Sequence, residues 1–408
     1  MIPTSSPGNN LANTPFLTRG VRICLLACLL LLSLAGCSTI SVQDITSIAN
    51  DPSSAADIVR AKSIYYAANP KKLSADIKAL KARIKKFRKH IDSVWGKEED
   101  KQPSPKVYVK YTDHYYNRAF IDFESSEVIV ETVAPDSQQR YLKKAIVTTL
   151  LTPDDPRQVD LYSDADPGKD GKPFLYKQVL DQTQNPITLQ LEAELYAQYL
   201  IENRVAQVEI GKRSGLRVVF PLVETHNQIR AFKYAELVQR YSRKYNVTES
   251  LIYGVIKTES SFNPFAVSQS FAYGLMQIVP GTAGRDVFER IKNKRGQPSP
   301  EDLYDPEYNI DIGTAYLKIL QEQYLVRIRD KNAQRYSVIS AYNGGASNVF
   351  KTFSSNQTRA LARINLLKPD EVYRQLNQNH PIAESRRYLY KVTEAQKEFW
   401  RNDGFVEQ

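Results

Sequence analysis

The periodicity of the chain changes once, near residue 224, and that change divides what it can fold into. Before it, short apolar runs alternate with a period of two. Val107-Tyr-Val-Lys-Tyr111 is one such run, and Arg118–Phe123 and Glu127–Val133 flank the turn residues Glu124-Ser-Ser126. Alternation puts every second side chain on one face of a sheet, so the flanking runs read as a hairpin. Leu216–Val223 is a further apolar strand, and helices are predicted over about 139–151, stopped by Pro153, and about 187–203. From His226 onward the spacing is three and four, as in Tyr234, Leu237, Val238 and Tyr241, and no strand signal returns. The expected architecture is an α+β N-terminal domain over 71–223 and a mainly α-helical domain over 224–408. The chain of 408 residues is long enough for two cores.

The first 70 residues belong to neither domain. Arg19 and Arg22 precede an apolar run, Ile23–Gly36, that is too short for a comfortable bilayer span and has the flank of a secretory signal. It closes on Leu34-Ala35-Gly36-Cys37, which resembles the lipobox of bacterial lipoproteins, where the cysteine is acylated and becomes the new N-terminus. The resemblance implies a signal peptide over 1–36, a lipidated tether over 37–70 and, from Ser38 in the second position, the periplasmic face of the outer membrane. All three cysteines (Cys24, Cys28, Cys37) lie in this segment, so no disulfide or zinc site is expected in the mature chain. Ser74 reads as the N-cap of a helix carrying Ile77, Leu80, Ile84, Phe87 and Ile91 on one face. Its Lys- and Arg-rich opposite face reads as a solvated surface, with contact to anionic lipid or cell wall as the sharper alternative. The net charge of +10 suits an anionic partner, but no nucleic-acid module is present.

One helix carries a candidate for chemistry. Thr248 is a plausible N-cap for Leu251–Ser260, and Ile252, Val255, Ile256 and Glu259 fall at i, i+3, i+4 and i+7. Glu259 therefore ends an apolar stripe, and Asn263-Pro264 stops the helix just beyond it. A carboxyl group held against apolar neighbours has a raised pKa and stays protonated as a general acid. Glycosidic cleavage requires such a group, because the leaving oxygen needs a proton. On this helix alone, a glutamate reaching solvent or an arginine explains the pattern equally well.

Three further segments extend the pattern. Glu259-Ser-Ser-Phe-Asn-Pro264 is followed by Tyr273-Gly-Leu-Met-Gln-Ile278 and then Ala341-Tyr-Asn-Gly-Gly345, with Glu384-Ser-Arg-Arg-Tyr388 closing the series. In that order and spacing they resemble the family-1 lytic transglycosylases, whose SLT domain has a goose-type-lysozyme-like fold. The likeness covers about residues 226–398. Arg118–Phe123 and Val128–Val133 further resemble a membrane-bound branch of that family.

The resemblance implies cleavage of peptidoglycan between N-acetylmuramic acid and N-acetylglucosamine, with Glu259 acting as acid and then as base. The muramic C6 hydroxyl would displace the leaving group, giving a 1,6-anhydro end without water. Ser268 is implied to contact the acetamido group, and Tyr342 to hold the carboxylate or steady the charged intermediate. Met276 and Gln277 would line the groove floor, with ordinary core packing the alternative for Met276, and Gly274 would let the backbone approach the sugar. Asn343 suits either the sugar or a helix cap, and Glu384 either substrate or a pair with Arg386 or Arg387. No metal or organic cofactor is implied. The expected partners are glycan strands and, through Cys37, lipid. Two rivals stand beside this reading. A muramidase of the same fold would activate water with a second carboxylate, for which Asp286, Asp302, Asp305 and Asp311 are candidates. A wall-binding scaffold would need no chemistry, which the intact Glu259, Ser268 and Tyr342 argue against.

Overall fold

A computed structural model describes residues 70–399; the expected signal segment, Cys37 and the tether lie outside the described residues. The first helix, α1 (Pro70–Trp95), is already helical ahead of Ser74, so the expected cap there is displaced. Proline suits a first helical position, where its missing N–H goes unused. Phe87, Ile91 and Trp95 bury the C-terminal half of α1 against Val109 and Tyr111. Its basic residues from Lys78 onward face outward, Arg88 onto Asp100 at 3.1 Å.

The strands β1 (Val107–Thr112), β2 (Asn117–Asp122) and β3 (Glu127–Thr132) follow as an antiparallel meander. After α2 (Gln138–Leu150) and α3 (Gln190–Arg204) come β4 (Ala206–Ile210) and β5 (Arg213–Pro221). The sheet order is β1-β2-β3-β5-β4. Pattern reading finds four of these strands and misses β4. That edge strand, Ala-Gln-Val-Glu-Ile, is short and polar, and most of it is exposed. Alternation in the other strands explains the layers. Tyr108, Ile121, Val128, Val130, Val218 and Phe220 form one core with Leu142 and Ile146 of α2 and Leu200 of α3. Val109 and Tyr111 face the other way, onto α1. One cross-strand row is polar: Arg118 pairs in register with Glu131, and Glu131 with Arg217.

Beyond Pro221 the described residues form no further strand. α4 (His226–Lys233), α5 (Ala235–Tyr245) and α6 (Glu249–Ser260) come first, then the short α7 (Arg285–Arg290) and α8 (Pro300–Leu303). α9 (Pro306–Ile319), α10 (Lys331–Gly344), α11 (Ala346–Phe353), α12 (Gln357–Ile364), α13 (Pro369–Asn379) and α14 (Ala383–Lys397) complete the bundle. The α+β-then-helical architecture expected from periodicity is what the chain adopts. The helix α6 runs through the centre, with Ile252, Val255 and Ile256 fully buried. Truncating one of them to alanine would cost about 2–5 kcal/mol. Phe265, in the loop after α6, belongs instead to the core of the sheet.

Candidate active site

The site is built where α6 meets α14. Gly254 lies at their crossing: a β-carbon there would meet Gln396 Cγ at 2.8 Å and the Val392 carbonyl at 3.1 Å. Glycine therefore sets how closely α14 approaches, and with it how Tyr388 and Glu384 stand against Glu259. Thr248 occupies the N-cap position of α6 in extended backbone but makes no side-chain capping bond. At the other end Ser261 (φ 50°) and Phe262 (φ 61°) are both left-handed. Each such non-glycine residue costs on the order of 1–3 kcal/mol and persists only where its surroundings hold it. The chain thus reverses two residues after Glu259, ahead of the Asn263-Pro264 stop read from sequence.

Glu259 lines a cleft of about 680 Å³. One wall is helical, from Thr258, Glu259 and the α14 residues Glu384, Arg387, Tyr388 and Lys391. The other comes from the α+β region, through Ser104–Val107 at the start of β1 and Asp122 and Glu124 at the end of β2. Burial pushes the Glu259 carboxyl up to about 8, and the like charge of Glu384 adds to the rise. Tyr388 and the cation of Lys106 act against it. The Tyr388 hydroxyl is buried and meets no partner at ordinary hydrogen-bond geometry, yet it faces this carboxyl and favours its ionised form. Such bonds commonly tighten only when substrate binds. At neutral pH Glu259 is a protonated acid with a base-stabilising hydroxyl beside it. That pairing suits proton delivery followed by proton removal.

The residues expected around Glu259 take varied places. Tyr342 lies near its charge, but its hydroxyl donates to the Met276 carbonyl at 2.9 Å rather than to the carboxylate. Met276 is fully buried, and a β-carbon on Gly313 would run into its sulfur. Its side chain therefore supports a floor from beneath instead of forming the surface. Gly274 has φ 71°, and the crowding that excludes a β-carbon comes from Asn309 and the Leu303 carbonyl, not from an open groove. Gln277 donates from Nε2 to the Gly274 carbonyl at 3.0 Å. Ser268 Oγ accepts from the Ala272 amide at 3.0 Å, closing its own loop. Asn343 neither caps a helix nor stands free: its Oδ1 accepts from Ser385 Oγ at 2.6 Å, tying α10 to α14. Glu384 pairs with neither neighbouring arginine, since Arg386 donates to the His380 carbonyl at 2.7 Å. Of the expected set, Glu259 and Glu384 line this cleft; Ser268, Gly274, Met276, Gln277, Tyr342 and Asn343 do not.

Sequence reasoning missed two contributors. Tyr388 stands in the quoted Glu384–Tyr388 string, one helical turn beyond Glu384, and that spacing was the available signal. Lys106 comes from a loop with no pattern to mark it. The four aspartates considered as second carboxylates are engaged elsewhere. Asp286 accepts from Tyr324 at 2.9 Å, and Asp302 forms a capping box with Ser299. Asp305 caps α9 and pairs with Arg157, while Asp311 is held by Lys244, Lys292 and Tyr245. The carboxylates that share the cleft are Glu384, Asp122 and Glu124. Among the described residues no group of three or more His, Cys, Asp or Glu side chains is arranged to hold a metal ion.

The site is thus a cleft between the helices and the sheet with one glutamate raised well above its ordinary range, and comparison with known proteins gives its class as lytic transglycosylase. Residues 236–365 match the transglycosylase SLT domain, and residues 73–233 match the N-terminal domain of membrane-bound lytic murein transglycosylase C. The membrane-bound lytic murein transglycosylase C of Photorhabdus laumondii is 50% identical over 312 residues, covering 76% of this chain and 87% of that protein. The protein of the same name from Edwardsiella ictaluri is 49% identical over 320 residues, covering 77% and 88%. The chain belongs to the membrane-bound lytic murein transglycosylase C family, and it is a lytic transglycosylase.

Proposed function

We propose that this enzyme cleaves the bond between N-acetylmuramic acid and N-acetylglucosamine non-hydrolytically, with Glu259 as its single acid and base. The observation that carries the reading is the Glu259 carboxyl, raised to about 8 at the wall of a cleft. Protonated at neutral pH, it gives its proton to the bridging oxygen as the bond to C1 breaks. The resulting carboxylate, favoured by Tyr388 and Lys106, takes the proton of the muramic C6 hydroxyl as that oxygen closes onto C1. The product is a 1,6-anhydro end, and Glu259 is returned protonated. The nucleophile is already tethered, and effective molarities of roughly 10⁵ M or more make a carboxylate nucleophile dispensable.

Mass spectrometry of products from purified sacculi tests the reading. Anhydro-muramic ends from the wild type, and none from Glu259→Gln, are expected. Reducing muramic ends would instead assign a muramidase, with Glu384 the first residue to examine as a water base. An active Glu259→Gln enzyme would remove the acid altogether.

We further propose that the chain is held at the periplasmic face of the outer membrane by acylation of Cys37. The lipobox-like Leu34–Cys37 string and the membrane-bound relatives support this. Fatty-acid labelling lost in Cys37→Ala, with release of the protein to the soluble fraction, is the expected result.

A further inference from the structure

The fold raises the question of what the α+β region contributes to a reaction carried by α6. Three of its contacts converge on the turn just after Glu259. Asn263 Nδ2 donates to the Pro105 carbonyl at 3.1 Å. Phe265 enters the core of the sheet, its ring centroid 5.0 Å from that of Tyr108 and 5.1 Å from that of Phe174. Arg230 of α4, which falls within the residues matching the N-terminal family domain, donates from Nε to the Ser261 carbonyl at 3.0 Å.

Arg230 is unusual in its surroundings. It is 2% exposed, and its other donors go to Gln178 Oε1 at 2.6 Å, His226 Nδ1 at 2.9 Å and Asn227 Oδ1 at 2.8 Å. Its guanidinium lies over the Phe123 ring, 4.4 Å from the centroid. None of these acceptors is an anion. His226 Nε2 lies 2.9 Å from Ser126 Oγ, which leaves Nδ1 to accept from the arginine in the neutral tautomer. A buried cation without a carboxylate is destabilising, so stability alone does not account for it. The place of the charge does: it sits at the C-terminal end of α6, where carbonyls lack partners and a cation is favourable.

We propose that Arg230 is a positioning residue for Glu259: by holding the Ser261 carbonyl it fixes the left-handed turn that closes α6, and so the direction of the catalytic carboxyl. The α+β region acts on the reaction through this grip. An arginine is required because its fork reaches several divergent acceptors at once, which a lysine cannot do. The inference rests on Glu259 being the acid. The groups facing that acid are Tyr388 and Glu384 from α14, Tyr342 from α10 and Lys106 from the loop before β1. Those around Arg230 are His226 of its own helix and Tyr234 just beyond it, and among the described residues no charged group pairs with it.

The test compares wild type, Arg230→Gln, Arg230→Lys and His226→Gln on soluble uncrosslinked glycan strands, reading kcat, KM, the pH profile of kcat and the melting temperature. In Arg230→Gln, kcat falls by roughly 10- to 100-fold with KM nearly unchanged, as a misplaced reacting group predicts. Its high-pH limb moves down by about one unit, because a loosened turn admits water to Glu259. Arg230→Lys recovers part of both. A lowered melting temperature with kcat and the limb unchanged would make Arg230 merely structural and overturn the proposal. If Arg230→Gln does not fold, His226→Gln carries the same readouts: a limb moved in the same direction supports the proposal, and an unmoved limb with unchanged kcat overturns it. An active Glu259→Gln enzyme would instead remove the acid on which the inference rests, so the two failures are distinguishable.

Discussion

Two glutamates, one in each region, show how differently this chain treats a carboxyl drawn out of water. Glu131, in the sheet, is fully buried and sits between two arginines: Arg118 Nε donates to it at 2.8 Å, and Arg217 pairs with its other oxygen. The Trp95 ring covers Arg118, 4.2 Å away, so both oxygens of this carboxylate are matched by cations. Glu259 faces Tyr388 and Tyr342, a like-charged Glu384 and, from the other wall of the cleft, Lys106. The sheet spends its ion pairs on holding strands in register. The helical region leaves its carboxyl without a bound cation, and that is what keeps a proton on it at neutral pH. Chemistry needs the unmatched group, and the fold concentrates the matched ones elsewhere.

The largest expected effect comes from removing the unmatched carboxyl. Glu259→Gln should lower turnover by about 10³-fold or more, since on the proposed mechanism both proton transfers are lost. The same substitution should not unfold the protein. A carboxyl raised above its unfolded value contributes stability that is full below the unfolded pKa and is lost as pH rises through about 8. Glutamine does not ionise, so the variant should match the wild type near pH 4 and exceed it by pH 9. The gain should be on the order of 1–3 kcal/mol after discounting for water in the cleft. Thermal melts across that range check it; a variant less stable than wild type at pH 9 would contradict the burial argument.

The matched glutamate should behave in the opposite way. Glu131→Gln leaves the buried Arg118 with only the Glu99 carboxylate, 3.6 Å away, and should cost about 3 kcal/mol of stability. The folded fraction should keep wild-type kcat and pH profile. Urea titration and assays below the melting transition separate the two; a shifted pH profile would show that the sheet's ion row reaches the site.

The contrast between the regions also governs what could be read from sequence. The sheet and the helical half follow from periods of two and of three and four, because burial repeats along each element. Glu259 is legible for the same reason, as the last member of the stripe Ile252-Val255-Ile256. What could not be read is whatever depends on contact between segments distant in sequence. Lys106 and Asp122 reach the cleft because β1 and β2 present their ends to α14, and no local pattern encodes that. Asn343 suited a sugar or a helix cap equally, and its side chain meets Ser385 and Glu384 of α14 instead of capping a helix. Met276 suited either a groove floor or the core, and Gly313 across from it leaves room for its sulfur in the core. Short strings give identity and order; the facing partner decides the role.

Tyr388→Phe gives the next smaller effect. The hydroxyl favours the ionised form of Glu259, so its loss should raise the carboxyl further and move the high-pH limb of kcat upward. Turnover should still drop, by about 10-fold, because the carboxylate formed after proton delivery loses its donor. Activity falling while the limb rises is a combination that simple loosening of α14 does not give. Stopped assays between pH 6 and 10 would show it, and a limb that moves down would rule out the proposed contact.

The smallest effects come from the two charges at the rim, and their signs differ. Glu384 raises the Glu259 carboxyl and Lys106 lowers it, each from the mouth of the cleft, where water and salt screen them. Glu384→Gln should therefore move the high-pH limb down, and Lys106→Met should move it up, each by about half a unit or less at low salt. Both shifts should shrink as ionic strength rises, which a steric change would not do. Lys106 also pairs with Glu124 at 2.6 Å, so Lys106→Met frees that carboxylate toward the cleft and adds to its own upward shift. Because Lys106 belongs to the α+β region and Glu384 to the helices, opposite salt-sensitive shifts in the two variants would mean that both regions set the charge on one acid. Equal shifts of one sign would mean that only the shape of the cleft had changed.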